Sequence, residues 1–239
     1  MSDVILKTDH IAGGYVAGIN ILHGISLQIE RGAAIGVLGL NGSGKSSFGK
    51  SLVNMLPYRT GSLMFAGEDI SNLSTEEISR QGIRMMFQGG QVFQTLSIWD
   101  NLRLVTGNSF KEQMERLRPI IPILDNPQNW LKGTMADKLS GGQRHQLALA
   151  MTLATLPSIV ILDEPSAGLS PKSVDMMYNL LNEVKDKFAL TIVLIEQNIS
   201  RAVEFCDNCV LIQQGTIGKT FGRGELHEIE ATMFNVIDE

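Results

Sequence analysis

Little in this sequence is suited to holding a soft metal. Among 239 residues there are two cysteines, Cys206 and Cys209 in "FCDNC", and four scattered histidines, His10, His23, His145 and His227. A zinc site needs two further ligands close to the C-x-x-C pair, and a redox pair needs a thioredoxin-like βαβ setting. The cysteines read instead as two small apolar residues at a helix–strand junction, in a reduced, cytoplasmic chain. Excess positive charge is missing as well. A formal net charge of −5 gives a nucleic-acid partner no support. No apolar run approaches the roughly 20 residues needed to cross a bilayer, and "MSD" opens no signal peptide. Any membrane role therefore has to come through a partner. Internal repeats and low-complexity segments are absent too.

What is there is an ordinary globular composition, 44% hydrophobic and 19% charged, enough for one large domain with a sub-domain. "VILKTDHIA" and "ILHGISLQIE" alternate apolar and polar residues, as half-buried strands do. "AAIGVLGL", "SIVILDE" and "LTIVLIE" are apolar throughout, as parallel strands buried on both faces are. Helical patterns separate them: "GKSSFGKSLVNML", "GGQRHQLALAMTLA" and "PKSVDMMYNLLNEVKDKF". In the last, Ser170 can cap, Pro171 sits at the first turn, and Val174, Met177, Leu181 and Val184 share a face. "STEE" at Ser74–Glu77 is a capping box.

These alternations predict an α/β fold with a parallel sheet and an amino-terminal antiparallel β part. From Ser97 to Asp137 the pattern is helical and broken by Pro119, Pro122 and Pro127, which predicts a helical sub-domain at about 97–140 inserted in a single domain spanning 1–239. The tail, 222–239, is expected to be an amphipathic surface helix.

The strongest local signal is "GLNGSGKSS", matching G-x-x-x-x-G-K-[ST] between an apolar strand and a helix. Gly39, Gly42 and Gly44 let the backbone of Asn41 and Ser43 turn its N–H groups onto one anion, at a helix start that is itself positive. Lys45 can reach the β and γ phosphates, the Ser46 hydroxyl can ligate Mg²⁺, and Ser47 opens the helix beside it. "SIVILDEP" delivers Asp163 and Glu164 to the carboxyl edge of the sheet. Asp163 suits the metal side, and Glu164 suits taking a proton from water.

Between these motifs, "LSGGQ" at Ser140, Gly141, Gly142 and Gln143 resembles the signature motif of ATP-binding cassette (ABC) ATPases. The resemblance covers essentially the whole chain, with the motifs in the family's order, and implies a P-loop NTPase core that hydrolyses ATP with Mg²⁺. It implies a second cassette packed head to tail, so that each signature covers the ATP on its partner's phosphate loop. Tyr15, in "GGYVAG", stands where the family places an aromatic stacked on adenine. Gln88, in "MMFQGGQVF", stands at the Q-loop glutamine that touches Mg²⁺. A groove near Phe93, Leu96 and Trp99 is expected to engage an integral-membrane permease, leaving the chain peripheral on the inner membrane face.

The wording "EPSAGLSP", "LIEQN" and "LHGISL" resembles cassettes of branched-chain amino-acid-type uptake systems, with lipid or lipopolysaccharide export cassettes as the alternative. A soluble ABC protein of translation or repair would bring a second cassette or a coiled-coil insertion, and neither is present between Gln88 and Ser140. Three positions depart from the family pattern. Ser170 stands for the D-loop aspartate, Met151 for an arginine after the signature, and Gln197 for the switch histidine. A glutamine can donate to a phosphate oxygen but cannot take on positive charge. With Glu164 present, hydrolysis is expected to persist; without it the chain would only close on ATP.

Overall fold

Alternating and all-apolar stretches sort into two different sheets. The computed structural model describes residues 3–223 together with Glu225, Glu228 and Ile229. In chain order the first half forms β1 (Val4–Gly14), β2 (Leu22–Glu30), β3 (Ala34–Leu38), α1 (Lys45–Leu52), β4 (Tyr58–Phe65), β5 (Glu68–Asp69), α2 (Thr75–Gln81) and β6 (Ile83–Met86). Three helices follow, α3 (Ile98–Thr106), α4 (Phe110–Leu117) and α5 (Gln128–Gly133). The remainder forms α6 (Gly141–Leu153), β7 (Ile159–Asp163), α7 (Pro171–Phe188), β8 (Thr191–Ile195), α8 (Ile199–Phe205), β9 (Asn208–Gln213) and β10 (Thr216–Gly222).

The alternating strands make an antiparallel sheet in the order β2-β1-β4-β5. It is amino-terminal, all four strands lying between Val4 and Asp69, although β3 and α1 intervene before β4 joins it. The all-apolar strands β3, β8 and β7 make the centre of the second sheet, in the order β10-β9-β3-β8-β7-β6, parallel except at its β10 edge. Successive residues of its strands feed opposite cores. Val160, Leu162, Ile192 and Leu194 join α6 and α7 on one face. Ile159, Ile161, Val193 and Ile195 join Phe48 of α1 and the antiparallel sheet on the other. That is why these strands read as continuous apolar runs.

Helix α1 is shorter than the pattern predicts. It stops at Leu52 because Asn54 turns into the left-handed region (φ 53°), while its side-chain amide donates to the Leu73 carbonyl at 2.7 Å. Gly49 sets how closely this helix lies on the sheet. A Cβ there would stand 2.6 Å from Ile195 Cδ1, so a larger residue would make the Ile195 side chain shift for α1 to lie as closely on β7 and β8. The capping box at Ser74 and Glu77 forms as expected, and Ser170 caps α7. Tail residues 222–239 fall almost entirely outside the described residues, and so does their expected helix.

Candidate functional site

The phosphate loop hangs between the end of β3 and the start of α1. Gly39 (φ 150°) passes so near β9 that a Cβ would lie 2.3 Å from the Ile212 carbonyl oxygen. Lys45 is 4% exposed, and its Nζ donates to the carbonyls of Gly39 (2.8 Å) and Leu40 (3.0 Å). Burial pushes this ammonium below the usual lysine range, against the pull of Glu164 and Asp163. Ser43 Oγ is buried with no hydrogen-bond partner. An unpartnered hydroxyl beside a desolvated ammonium is a donor set made for an anion. The cavity that Lys45 lines measures about 210 Å³ and is bounded also by Asn41, Gly42, Gly44, Ser46, Ser47 and Glu164.

Strand β7 brings Asp163 to the same place. Ser46 Oγ donates to Asp163 Oδ1 at 2.8 Å, joining the first and last parts of the predicted metal set. Burial pushes the Asp163 carboxyl up, opposed by the Ser46 hydroxyl and reinforced by Glu164 beside it. A hydroxyl and a buried carboxylate, both hard oxygen donors, fit Mg²⁺. Gln88, the third member of that set, holds its amide nitrogen on a different neighbour.

That neighbour is Glu164. Gln88 Nε2 donates to Glu164 Oε2 at 2.8 Å, and Gln197 Nε2 donates to Oε1 at 2.5 Å. Both oxygens of the carboxylate are thus held by amides arriving from the ends of β6 and β8, while the Glu164 N–H donates to Ile195 O at 2.9 Å. Glu164 also sits in the left-handed region (φ 47°), a conformation that costs a side-chain-bearing residue on the order of 1–3 kcal/mol. The chain bends there so that Asp163 and Glu164, adjacent in sequence, serve different neighbours.

Tyr15 lies over the start of α1. Its hydroxyl is 3.4 Å from Ser47 Oγ and 3.2 Å from Lys50 Nζ, and the Lys50 ammonium stands 5.3 Å from its ring centre. Tyr15 is 42% exposed, which leaves it open to a planar ligand. Tyr15→Ala is expected to weaken ATP binding by about 1–2 kcal/mol through lost stacking. Titration with a fluorescent ATP analogue checks this, and unchanged affinity would place the base elsewhere.

These features agree with the comparisons. Residues 22–167 match the protein family described as ABC transporter. The probable branched-chain amino acid transport ATP-binding protein LivF of Archaeoglobus fulgidus is 31% identical, over 95% of each chain. The methionine import ATP-binding protein MetN 1 of Bacillus thuringiensis subsp. konkukian is 31% identical, over 91% of this chain and 67% of its own. The structure of cbiO1 from Clostridium perfringens, part of the ABC transporter complex cbiONQ, superposes with a TM-score of 0.82 at 26% identity, over 98% and 94% of the two chains. This chain belongs to the ABC transporter family. It is a nucleotide-binding, ATP-hydrolysing cassette with the P-loop fold.

In this ABC cassette the signature residues lie apart from the phosphate cavity. Ser140 caps α6, its Oγ accepting from the Gln143 N–H at 3.3 Å while Gln143 Oε1 accepts from the Ser140 N–H at 3.0 Å. The Gln143 side chain therefore serves the helix start, and Gly141 and Ser140 face outward at an open helix amino terminus. Gly142 lines a small cavity between α6 and α7 instead of the phosphate cavity. Of the three expected permease-groove residues, Phe93 and Leu96 share one turn, the Leu96 N–H donating to the Phe93 carbonyl at 3.0 Å. Phe93 is 54% exposed and lines a cleft of about 330 Å³ with Met86, Val92 and Met151. Trp99 packs instead on Phe110, with Lys132 4.7 Å above its ring, inside the helical insert. Leu96 is half-buried. Among the described residues, no helix is long and apolar enough to cross a membrane.

Sequence reasoning passes over one residue, Glu196. It is 2% exposed at the end of β8. The available signal is a lone carboxylate closing a buried apolar strand.

Proposed function

We propose that the cassette powers import of amino acids of the branched-chain class, closing head to tail with a second cassette on two MgATP and driving integral-membrane permease subunits. In this reading the whole chain, 1–239, is one cassette, held at the inner membrane face by those subunits. Its helical part at 97–140 and the cleft beside Phe93 meet the permease. The observation that carries the catalytic part is the grip of Gln88 and Gln197 on Glu164 at the rim of the phosphate cavity. The transport class is supported by the match to LivF over 95% of both chains.

The chemistry follows from what each group holds. On ATP binding, Lys45 exchanges two loop carbonyls for β and γ oxygens, and the Ser43 hydroxyl gains the partner it lacks. Ser46 and Asp163 would hold Mg²⁺, which supplies positive charge against the triphosphate. Gln88 would join them through its amide oxygen, which its Nε2 bond to Glu164 leaves free. Gln197 can donate either to Glu164 or to a γ-phosphate oxygen, so arrival of that phosphate draws the amide away and leaves Glu164 Oε1 free to accept a proton from water. Ser140, Gly141 and Gly142 of a second copy supply the remaining donors across the interface, with Gln143 fixing their helix start. Tyr15 carries the adenine. Because closed contacts form only with the triphosphate bound, ATP favours the closed state and hydrolysis releases it.

Co-expression with its permease subunits tests the substrate class. The purified, reconstituted complex is expected to hydrolyse ATP faster when leucine, isoleucine or valine is presented, and to accumulate that solute in vesicles. Stimulation by a lipid or an unrelated solute alone would overturn the amino-acid assignment.

A further inference from the structure

Glu196 is a buried carboxylate whose hydrogen-bond donors are all neutral. Oε1 accepts from the Ser166 N–H (3.2 Å) and the Tyr178 hydroxyl (3.4 Å). Oε2 accepts from the N–H groups of Gln197 (3.1 Å) and Asn198 (3.5 Å). Burying a carboxylate costs several kcal/mol unless such bonds offset it, and four apolar residues precede it on the same strand. An apolar residue would be the cheaper occupant of a strand end that only had to pack.

What distinguishes the position is the identity of the two loops it joins. Ser166 lies two residues beyond Glu164, and Gln197 is the residue whose amide holds Glu164. One side chain thus fastens the turn carrying the hydrolytic carboxylate to the turn carrying the residue that gates it. Tyr178 braces the arrangement from α7, its ring edge-on to Phe205 at 5.6 Å. We infer that Glu196 is a positioning residue that sets the separation of Gln197 and Glu164, coupling the loop after β7 to the γ-phosphate-sensing turn after β8. Only a carboxylate does this, because it offers acceptors on both sides. A glutamine has one oxygen, and its NH₂ would confront N–H groups at the other loop.

The inference rests on the proposed role of Glu164, so the test includes Glu164→Gln. Steady-state ATPase and thermal unfolding are compared for Glu196→Gln, Gln197→Ala, the two combined, and Tyr178→Phe. Glu196→Gln is expected to lower kcat on the order of tenfold, with KM for ATP changed far less, because Lys45 keeps its larger attractions to Glu164 and Asp163 while the reacting groups lose register. Adding Gln197→Ala is expected to cost little more, since the two residues act on the same contact. Tyr178→Phe removes one donor and keeps the packing; it is expected to lower kcat by less than Glu196→Gln, again with KM changed far less.

Wild-type kcat in a folded Glu196→Gln protein would overturn the inference, as would losses that add with Gln197→Ala. If Glu196→Gln does not fold, Tyr178→Phe decides: wild-type kcat there overturns it. Turnover surviving in Glu164→Gln would instead overturn the reading of Glu164, whereas an inactive Glu164→Gln beside a fully active Glu196→Gln would sink this inference alone.

Discussion

Glu164→Gln is expected to lower ATP turnover on the order of 10²–10⁴-fold and to leave MgATP binding intact. The substitution keeps side-chain size and the left-handed backbone turn, so the loop keeps its path. Among the described residues, it removes the one carboxylate lining the cavity that does not also meet Ser46. An amide in that place confronts two others, so Gln88 and Gln197 can no longer both donate to it. One of them is released, which favours the phosphate-engaged arrangement. The closed dimer should therefore accumulate with ATP. A coupled ATPase assay together with size-exclusion chromatography in MgATP checks both halves. Unchanged turnover removes Glu164 from the chemistry.

Lys45→Ala is expected to weaken ATP binding by about 2–3 kcal/mol, the usual loss for a hydrogen bond made by a charged group. Stability of the nucleotide-free protein should move differently. Burial depresses the Lys45 pKa below its unfolded value, so at neutral pH the charged form opposes folding, a penalty that fades only as pH rises toward 10.5. Removing the charge relieves it, while the Gly39 and Leu40 carbonyls lose a donor. The expected result is a nucleotide-free Tm close to that of the wild type and a Tm rise with MgATP that is largely gone. A full ATP-induced shift in this variant would show that Lys45 does not hold the phosphates.

The sheet and the phosphate site were legible because they depend on local signals. A strand buried on both faces must be apolar throughout, so β3, β7 and β8 announced themselves, and glycines with a lysine at one spacing announced the loop. The adjacency of Asp163 and Glu164 also predicted two roles. The partners of those residues were not legible. Gln88 meets Glu164 across 76 positions and Ser166 meets Glu196 across 30, through strand order that no local pattern encodes. Trp99 illustrates the opposite failure. An aromatic at the start of a helix reads equally as contact surface or core, and Trp99 is half of each, packed on Phe110 of the following helix and half-buried at the edge of an open cleft. The shortening of α1 came from Asn54, whose amide finds a carbonyl 19 residues away.

The place of β3 in its sheet bears on how the protein is made. The strand that carries the phosphate loop lies between β8 and β9, so both its backbone edges are completed by chain translated more than 150 residues later. Gly215 then closes the loop from outside, its N–H donating to Ser43 O and its carbonyl accepting from His23 N. Contacts of such sequence separation form slowly and leave apolar strands exposed on the ribosome. A nascent or truncated chain ending before β8 carries the whole nucleotide motif, yet it has no sheet to hold that motif open. The part of the molecule that reads first in the sequence is therefore among the last to become able to bind.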